Sequence, residues 1–199
     1  MKKEILMIFF ILISINSNES YNNILVNISI SQPSYYFIQT SEKLSSGVFF
    51  TNYTGALNNK QYQLLPGTTD NNATWNYNKT NMKTEYWILS YSNGVYINIC
   101  QGAVNHLCSN ANCSGFDNYI IPIDNVKWSS SFENNANYPS LLQAKKMKIG
   151  FDNNNKIAEK LNGQYNIFLR YWLSVPPNTP PYNYNTTYQI KVVVYGYDC

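Results

Sequence analysis

The stretch Gln164-Tyr-Asn-Ile-Phe-Leu-Arg-Tyr-Trp-Leu-Ser-Val175 decides the fold class. Tyr165, Ile167, Leu169, Tyr171, Leu173 and Val175 recur at every second position, which places them on one face of a β-strand. The residues between them are mostly polar or bulky and aromatic, as expected of a strand whose other face meets water.

The same period extends outward from this run. Ile24, Val26, Ile28 and Ile30 alternate, and residues 35–39, 48–53 and 61–65 are shorter β-prone runs. In Glu85-Tyr-Trp-Ile-Leu-Ser-Tyr-Ser-Asn-Gly-Val-Tyr-Ile-Asn-Ile-Cys100, two alternating runs flank Ser92-Asn93-Gly94. Asn-Gly supplies positive φ, so this stretch predicts a hairpin. Residues 119–123 and 126–132 predict strands around Asp124-Asn125, and Met147, Ile149 and Phe151 another. Residues 156–162 predict two helical turns stopped by Gly163, with Ile157 and Leu161 on one face. A proline-rich connection at 176–185 leads to a final strand at 186–197. Ten to twelve short strands with turn signals between them predict an all-β fold. The expected architecture is an antiparallel β-sandwich of immunoglobulin-like or jelly-roll type, with little helix.

The first twenty residues read differently. Lys2 and Lys3 precede the apolar run Ile5 to Ile13 and a small polar stretch, the pattern of a secretory signal peptide. No later segment reaches the ~20 apolar residues a spanning helix needs. The expected organisation is a signal peptide at 1–20 and one sandwich domain at 21–199, secreted to the cell surface or a fimbria. Export makes the even cysteine count a disulfide framework. Cys100, Cys108, Cys113 and Cys199 allow three connectivities; we favour a local Cys108–Cys113 loop and a long Cys100–Cys199 staple.

Composition excludes more than it selects. A net charge of +3 on an exported chain argues against a nucleic-acid partner. Lys145, Lys146 and Lys148 form the one cationic cluster, read as the solvated end of a strand. His106 is the single histidine, and the carboxylates are dispersed, so no catalytic constellation, metal set or cofactor motif emerges. Seven Asn-x-Ser/Thr triplets begin at Asn18, Asn27, Asn52, Asn72, Asn78, Asn112 and Asn185. All but the first lie in the mature chain and are glycosylation sites if the source is a eukaryote.

The positive signal is aromatic: eighteen Tyr and four Trp beside abundant Asn. Rings stack on the C–H faces of sugars and amides bond their hydroxyls, so this pairing suits carbohydrate. Trp87, Trp128 and Trp172 fall on strands and are assigned to the core. Trp75 and Tyr77, in the polar loop 68–81, and Tyr182 and Tyr184, in the loop 176–185, are the ligand-binding candidates.

The strand Lys146-Met-Lys-Ile-Gly-Phe151, the run Leu161-Asn-Gly-Gln-Tyr through Leu173, and Thr187-Tyr-Gln-Ile-Lys-Val-Val-Val-Tyr195 follow in that order. This resembles the end of the receptor-binding domains of chaperone–usher fimbrial tip adhesins, which close on a Gly-x-Tyr strand and a last alternating strand. The Met1-Lys-Lys start and the Cys-x4-Cys loop fit the same family. The resemblance spans residues 146–197 and implies an elongated β-sandwich that binds host glycans at the fimbrial tip. It also implies contacts with other fimbrial subunits. Such adhesins carry a second, pilin-type domain, for which this chain has no room. No binding motif of the family matches, so no binding residue is carried over. The expected activity is therefore non-catalytic recognition of a cell-surface glycan or glycoprotein. The alternatives are a structural or coat glycoprotein of an AT-rich eukaryote, and a small secreted glycoside-active enzyme.

Overall fold

Two eighteen-residue strands, Tyr86–Ala103 and Lys156–Leu173, pair antiparallel through the middle of the chain and organise everything else. The structure is a computed structural model that describes residues 34–48, 50, 64–73, 86–110, 113–114, 119–135 and 137–199. The signal segment, the expected strand at 24–30, most of 48–53 and 61–65, and the loop residues Trp75 and Tyr77 lie outside the described residues. Pro33–Cys199 forms one compact unit.

We number the strands in chain order as β1 (Tyr35–Thr40), β2 (Asn71–Asn72), β3 (Tyr86–Ala103), β4 (Leu107–Cys108), β5 (Ile120–Ile121), β6 (Val126–Ser131), β7 (Lys145–Lys146), β8 (Lys156–Leu173) and β9 (Tyr188–Val194). The main sheet runs β1-β3-β8-β6-β7, with β9 also on β3 and β2 also on β8; β4 and β5 pair separately. Every pairing between these named strands is antiparallel, and one isolated parallel bridge joins Ala103 to Ile149. A short helix, α1 (Glu42–Ser46), begins at Ser41, whose Oγ accepts the Leu44 N–H at 3.1 Å. The fold is therefore all-β, antiparallel and sandwich-like, as the period-two pattern predicts.

The strand expected from Met147 to Phe151 does not form, the strand there being only Lys145–Lys146, and two further local expectations are corrected. Ser92-Asn93-Gly94 does not reverse the chain; β3 continues through it. Residues 156–162 are strand, not helix. Both corrections sit at one bend. The pairing of β3 with β8 is regular from Tyr86↔Leu169 to Ser92↔Gly163, then resumes at Ile97↔Leu161 with a register shift. Gly94, Gly163 and Lys160 all have positive φ there, 68°, 108° and 54°. Below the bend β3 takes β1 as its other neighbour; above it, β9. Bulges of this kind let a strand leave one layer and continue in another.

The two halves bury their inner faces in one core. Ile88, Ile97, Ile99, Ile167 and Leu169 are fully buried there with Trp128, joined by Leu107, Ile121 and Ile123 from the β4–β5 region. Each fully buried aliphatic side chain contributes roughly 1.5–3 kcal/mol. A buried triad crosses the same space: the Tyr171 and Tyr188 hydroxyls lie 2.6 Å apart and both reach Gln101 Oε1, their two protons serving two of these three contacts.

Both disulfides pair as favoured from the sequence, Cys100–Cys199 and Cys108–Cys113. The first joins residues 99 apart, a loop worth about 4.7 kcal/mol in the chain-entropy model. The second closes a separation of 5, worth about 2 kcal/mol on the same relation. Lys145 and Lys146 form the short edge strand β7, where charge discourages further pairing. Lys146 lies 3.8 Å from Asp124, and Lys145 sits over the Trp128 ring.

Candidate ligand-binding groove

The second face of β8 carries Phe168, Arg170 and Trp172, between the odd-numbered residues that fill the core. Across Trp172 stand Asn72 on β2 and Lys127 on β6; across Arg170 stands Ser129. Lys127 Nζ is held by Asp70 at 2.8 Å, which fixes the start of β2 against β6. Asn71 strengthens that junction, its amide donating to Leu173 O at 2.9 Å.

Residues 133–143 rise beside this face and make the opposite wall. Asn135 shapes their turn: its Oδ1 accepts the N–H groups of Asn137 and Tyr138 at 2.8 and 3.1 Å. The Tyr138–Pro139 peptide bond is cis, and a 3-10 turn follows at Leu141–Gln143. Arg170 ties this wall to the sheet, donating to Pro139 O at 3.0 Å and Asn135 O at 2.8 Å. Burial lowers the pKa of its guanidinium from the ordinary arginine value.

Between wall and sheet lies a groove of about 570 Å³. Trp172 and Arg170 form its floor, and Asn72, Asn137, Tyr138, Ser140, Leu141, Leu142 and Gln143 its sides. Trp172 is nearly buried, whereas Leu142 is 99% exposed at the rim. The lining thus combines two aromatic rings with three side-chain amides, a hydroxyl and a guanidinium. That set offers apolar ring faces beside several hydrogen-bond donors and acceptors. Among the described lining residues none is a carboxylate or a histidine.

The residues singled out from sequence are distributed as follows. Trp75 and Tyr77 lie outside the described residues; Asn72, a few positions before them on β2, lines the groove. Tyr182 is exposed and its ring stacks on that of Tyr119, 4.9 Å between centroids, away from the groove lining. Tyr184 packs partly against the core, and its hydroxyl donates to Pro180 O at 3.0 Å. Burial first, then the neighbouring Tyr182, raises its pKa. Of the sequons, Asn72 and Asn185 are exposed; Asn27, Asn52, Asn78 and Asn112 lie outside the described residues. The Asn185 backbone exchanges two hydrogen bonds of 2.9 Å with Cys108. His106 is structural: its Nδ1 accepts the Ile123 N–H at 3.0 Å. Groups of three or more metal-ligating side chains are absent among the described residues. No helix among them is long and apolar enough to cross a membrane.

Sequence reading misses Arg170 and Trp172 as groove residues. One signal points to Arg170: it is the only arginine in the chain, on the face of its strand opposite the aliphatic row. No family model, curated protein or solved structure matches the chain.

Proposed function

We propose that this chain is an exported, non-catalytic carbohydrate-binding domain of the adhesin type, which recognises a cell-surface glycan through the groove over β8. One observation carries this reading: the groove joins the rings of Trp172 and Tyr138 to the side chains of Asn72, Asn137, Ser140 and Gln143. Rings stack on the C–H faces of a sugar, while amides and hydroxyls answer its alternating donors and acceptors. Shallow, polar sites of this composition suit recognition of exposed sugar chains. The adhesin resemblance of residues 146–197 points the same way and makes a fimbrial surface the proposed setting.

A glycan array probed with the mature, oxidised domain tests this. Leu142→Asp and Gln143→Ala alter only the groove rim, so folding is preserved and array binding should fall at least tenfold. Trp75→Ala should act in the same direction. Full binding by the rim variants, or no binding by the native domain, sinks the reading.

The exposed sequons Asn72 and Asn185 favour a second reading, a coat glycoprotein whose glycans are attached. The native mass decides between them: several glycans above the bare mature chain supports the coat protein.

A further inference from the structure

The groove is one end of a longer arrangement. The face of β8 that carries Arg170 and Trp172 continues through Phe168, Asn166 and Gln164. Antiparallel register extends that face sideways. Phe168 stands opposite Trp87, Asn166 opposite Leu89, and Gln164 opposite Tyr91. On the far side of β3, Leu89 meets Gln39, Tyr91 meets Phe37, and Asn93 meets Tyr35. Directly opposed residues share a face, so these side chains form one surface.

Its far end is a ladder of three rings. Tyr35 and Phe37 each stack on Tyr91 with centroids 5.5 Å apart, at interplanar angles of 23° and 17°. Tyr35 is 42% exposed and Phe37 49%, so the ladder meets solvent. Nearby stand the amides Gln39, Asn93, Gln164 and Asn166. From Gln164 to Trp172 the strand covers roughly 26 Å at ~3.3 Å per residue.

We infer that this face is an extended binding track for a neutral oligosaccharide of several sugar units, whose end unit occupies the groove. The inference rests on the carbohydrate reading of the groove and deepens it. Two features select this occupant. The rings alternate with side-chain amides, the same chemistry as the groove lining. Among the described residues, the face from Tyr35 to Phe168 also presents no charged side chain, so nothing there recognises an acidic polymer or a charged peptide. The track is continuous with the groove, because Phe168, Arg170 and Trp172 follow one another on one face of one strand.

Dimers and hexamers of β-1,4-linked glucose, N-acetylglucosamine, mannose and xylose are the probes, titrated calorimetrically against the oxidised mature chain. At least one series should bind as the dimer, with its hexamer at least tenfold tighter. Phe37→Ala should abolish that gain while leaving dimer affinity within twofold. Tyr35→Ala, at the end of its strand, repeats the test should Phe37→Ala fold poorly. A dimer bound as tightly as its hexamer overturns the track and spares the groove. No binding by any probe removes the groove reading and the track with it. Self-association of the chain that Phe37→Ala abolishes would assign the ladder to a second copy and overturn the inference.

Discussion

Ser92 and Gly163 face each other across β3 and β8 at the last regular pair before the bend, and a single hydroxyl stitches it. Ser92 Oγ accepts the Gly163 N–H at 3.3 Å and donates to Leu161 O at 3.1 Å. It thereby satisfies two backbone groups where the ladder is interrupted. Ser92 is only 2% exposed, so water cannot replace it. Ser92→Ala should cost about 1–3 kcal/mol, the penalty for stranded buried groups. Urea unfolding measures this; a loss under about 0.5 kcal/mol would show that the bend holds without the hydroxyl.

The bend also shows where sequence suffices and where it does not. The strand character of 164–175 is legible because one row of side chains is apolar at every second position and, from Ile167 to Val175, points inward, with Tyr165 at its end left exposed. Asn93-Gly94 signals positive φ, and Gly94 does adopt φ 68°. Positive φ, however, serves a bulge as well as a hairpin. Which one forms depends on a partner about seventy residues away, where Gly163 bends in concert. Ile157 and Leu161 mislead for a related reason: a spacing of four returns to the same face in a helix and in a strand. The groove was harder still. Trp172 reads as core because it is nearly buried; its role at a groove floor follows from the wall that Arg170 holds over it, a contact spanning some thirty residues of chain.

Gly102 gives the sharpest stability prediction. A Cβ at this position would lie 2.1 Å from Gly150 O and 2.6 Å from Gly150 C, both backbone atoms. The approach is fixed by Ala103 N–H to Lys148 O at 3.1 Å and Gly150 N–H to Ala103 O at 2.8 Å. Gly102→Ala must therefore push the two segments apart and break those bonds. A loss of about 3 kcal/mol or more is expected, at the upper end of overpacking costs. A thermal melt within a few degrees of the native protein would refute it.

The tyrosine triad predicts sensitivity to alkali. Burial, foremost, raises the Tyr171 and Tyr188 pKa values above their ordinary range. A raised folded pKa means that stability is fully present below the unfolded value near pH 10 and is lost as pH climbs toward the folded one. Above about pH 10, each tyrosine should lower stability by ~1.4 kcal/mol per pH unit. Urea midpoints from pH 8 to 11 should thus fall steeply at the alkaline end. Tyr171→Phe should lower stability at pH 8, by removing the buried hydrogen bond between the two phenols, yet flatten the alkaline slope. An unchanged slope would mean that the phenols ionise freely.

Arg170→Lys separates holding the groove from holding the fold. The guanidinium reaches Pro139 O and Asn135 O together because its N–H groups form a planar fork. A lysine ammonium is a single point and cannot span both carbonyls in that geometry. The wall 133–143 should then lose its register over β8 while the core beneath, filled by Ile167, Leu169 and Tyr171, stays intact. Hydrogen bonds to charged groups contribute about 1.5–3 kcal/mol, so stability should fall by only part of that, one bond surviving. Glycan binding should fall further, at least tenfold, because Tyr138 and Gln143 are no longer placed against Trp172. Equal loss of stability and binding would make Arg170 a structural brace alone. Unchanged binding with a loosened wall would move the site off this groove, toward the exposed Tyr119–Tyr182 pair.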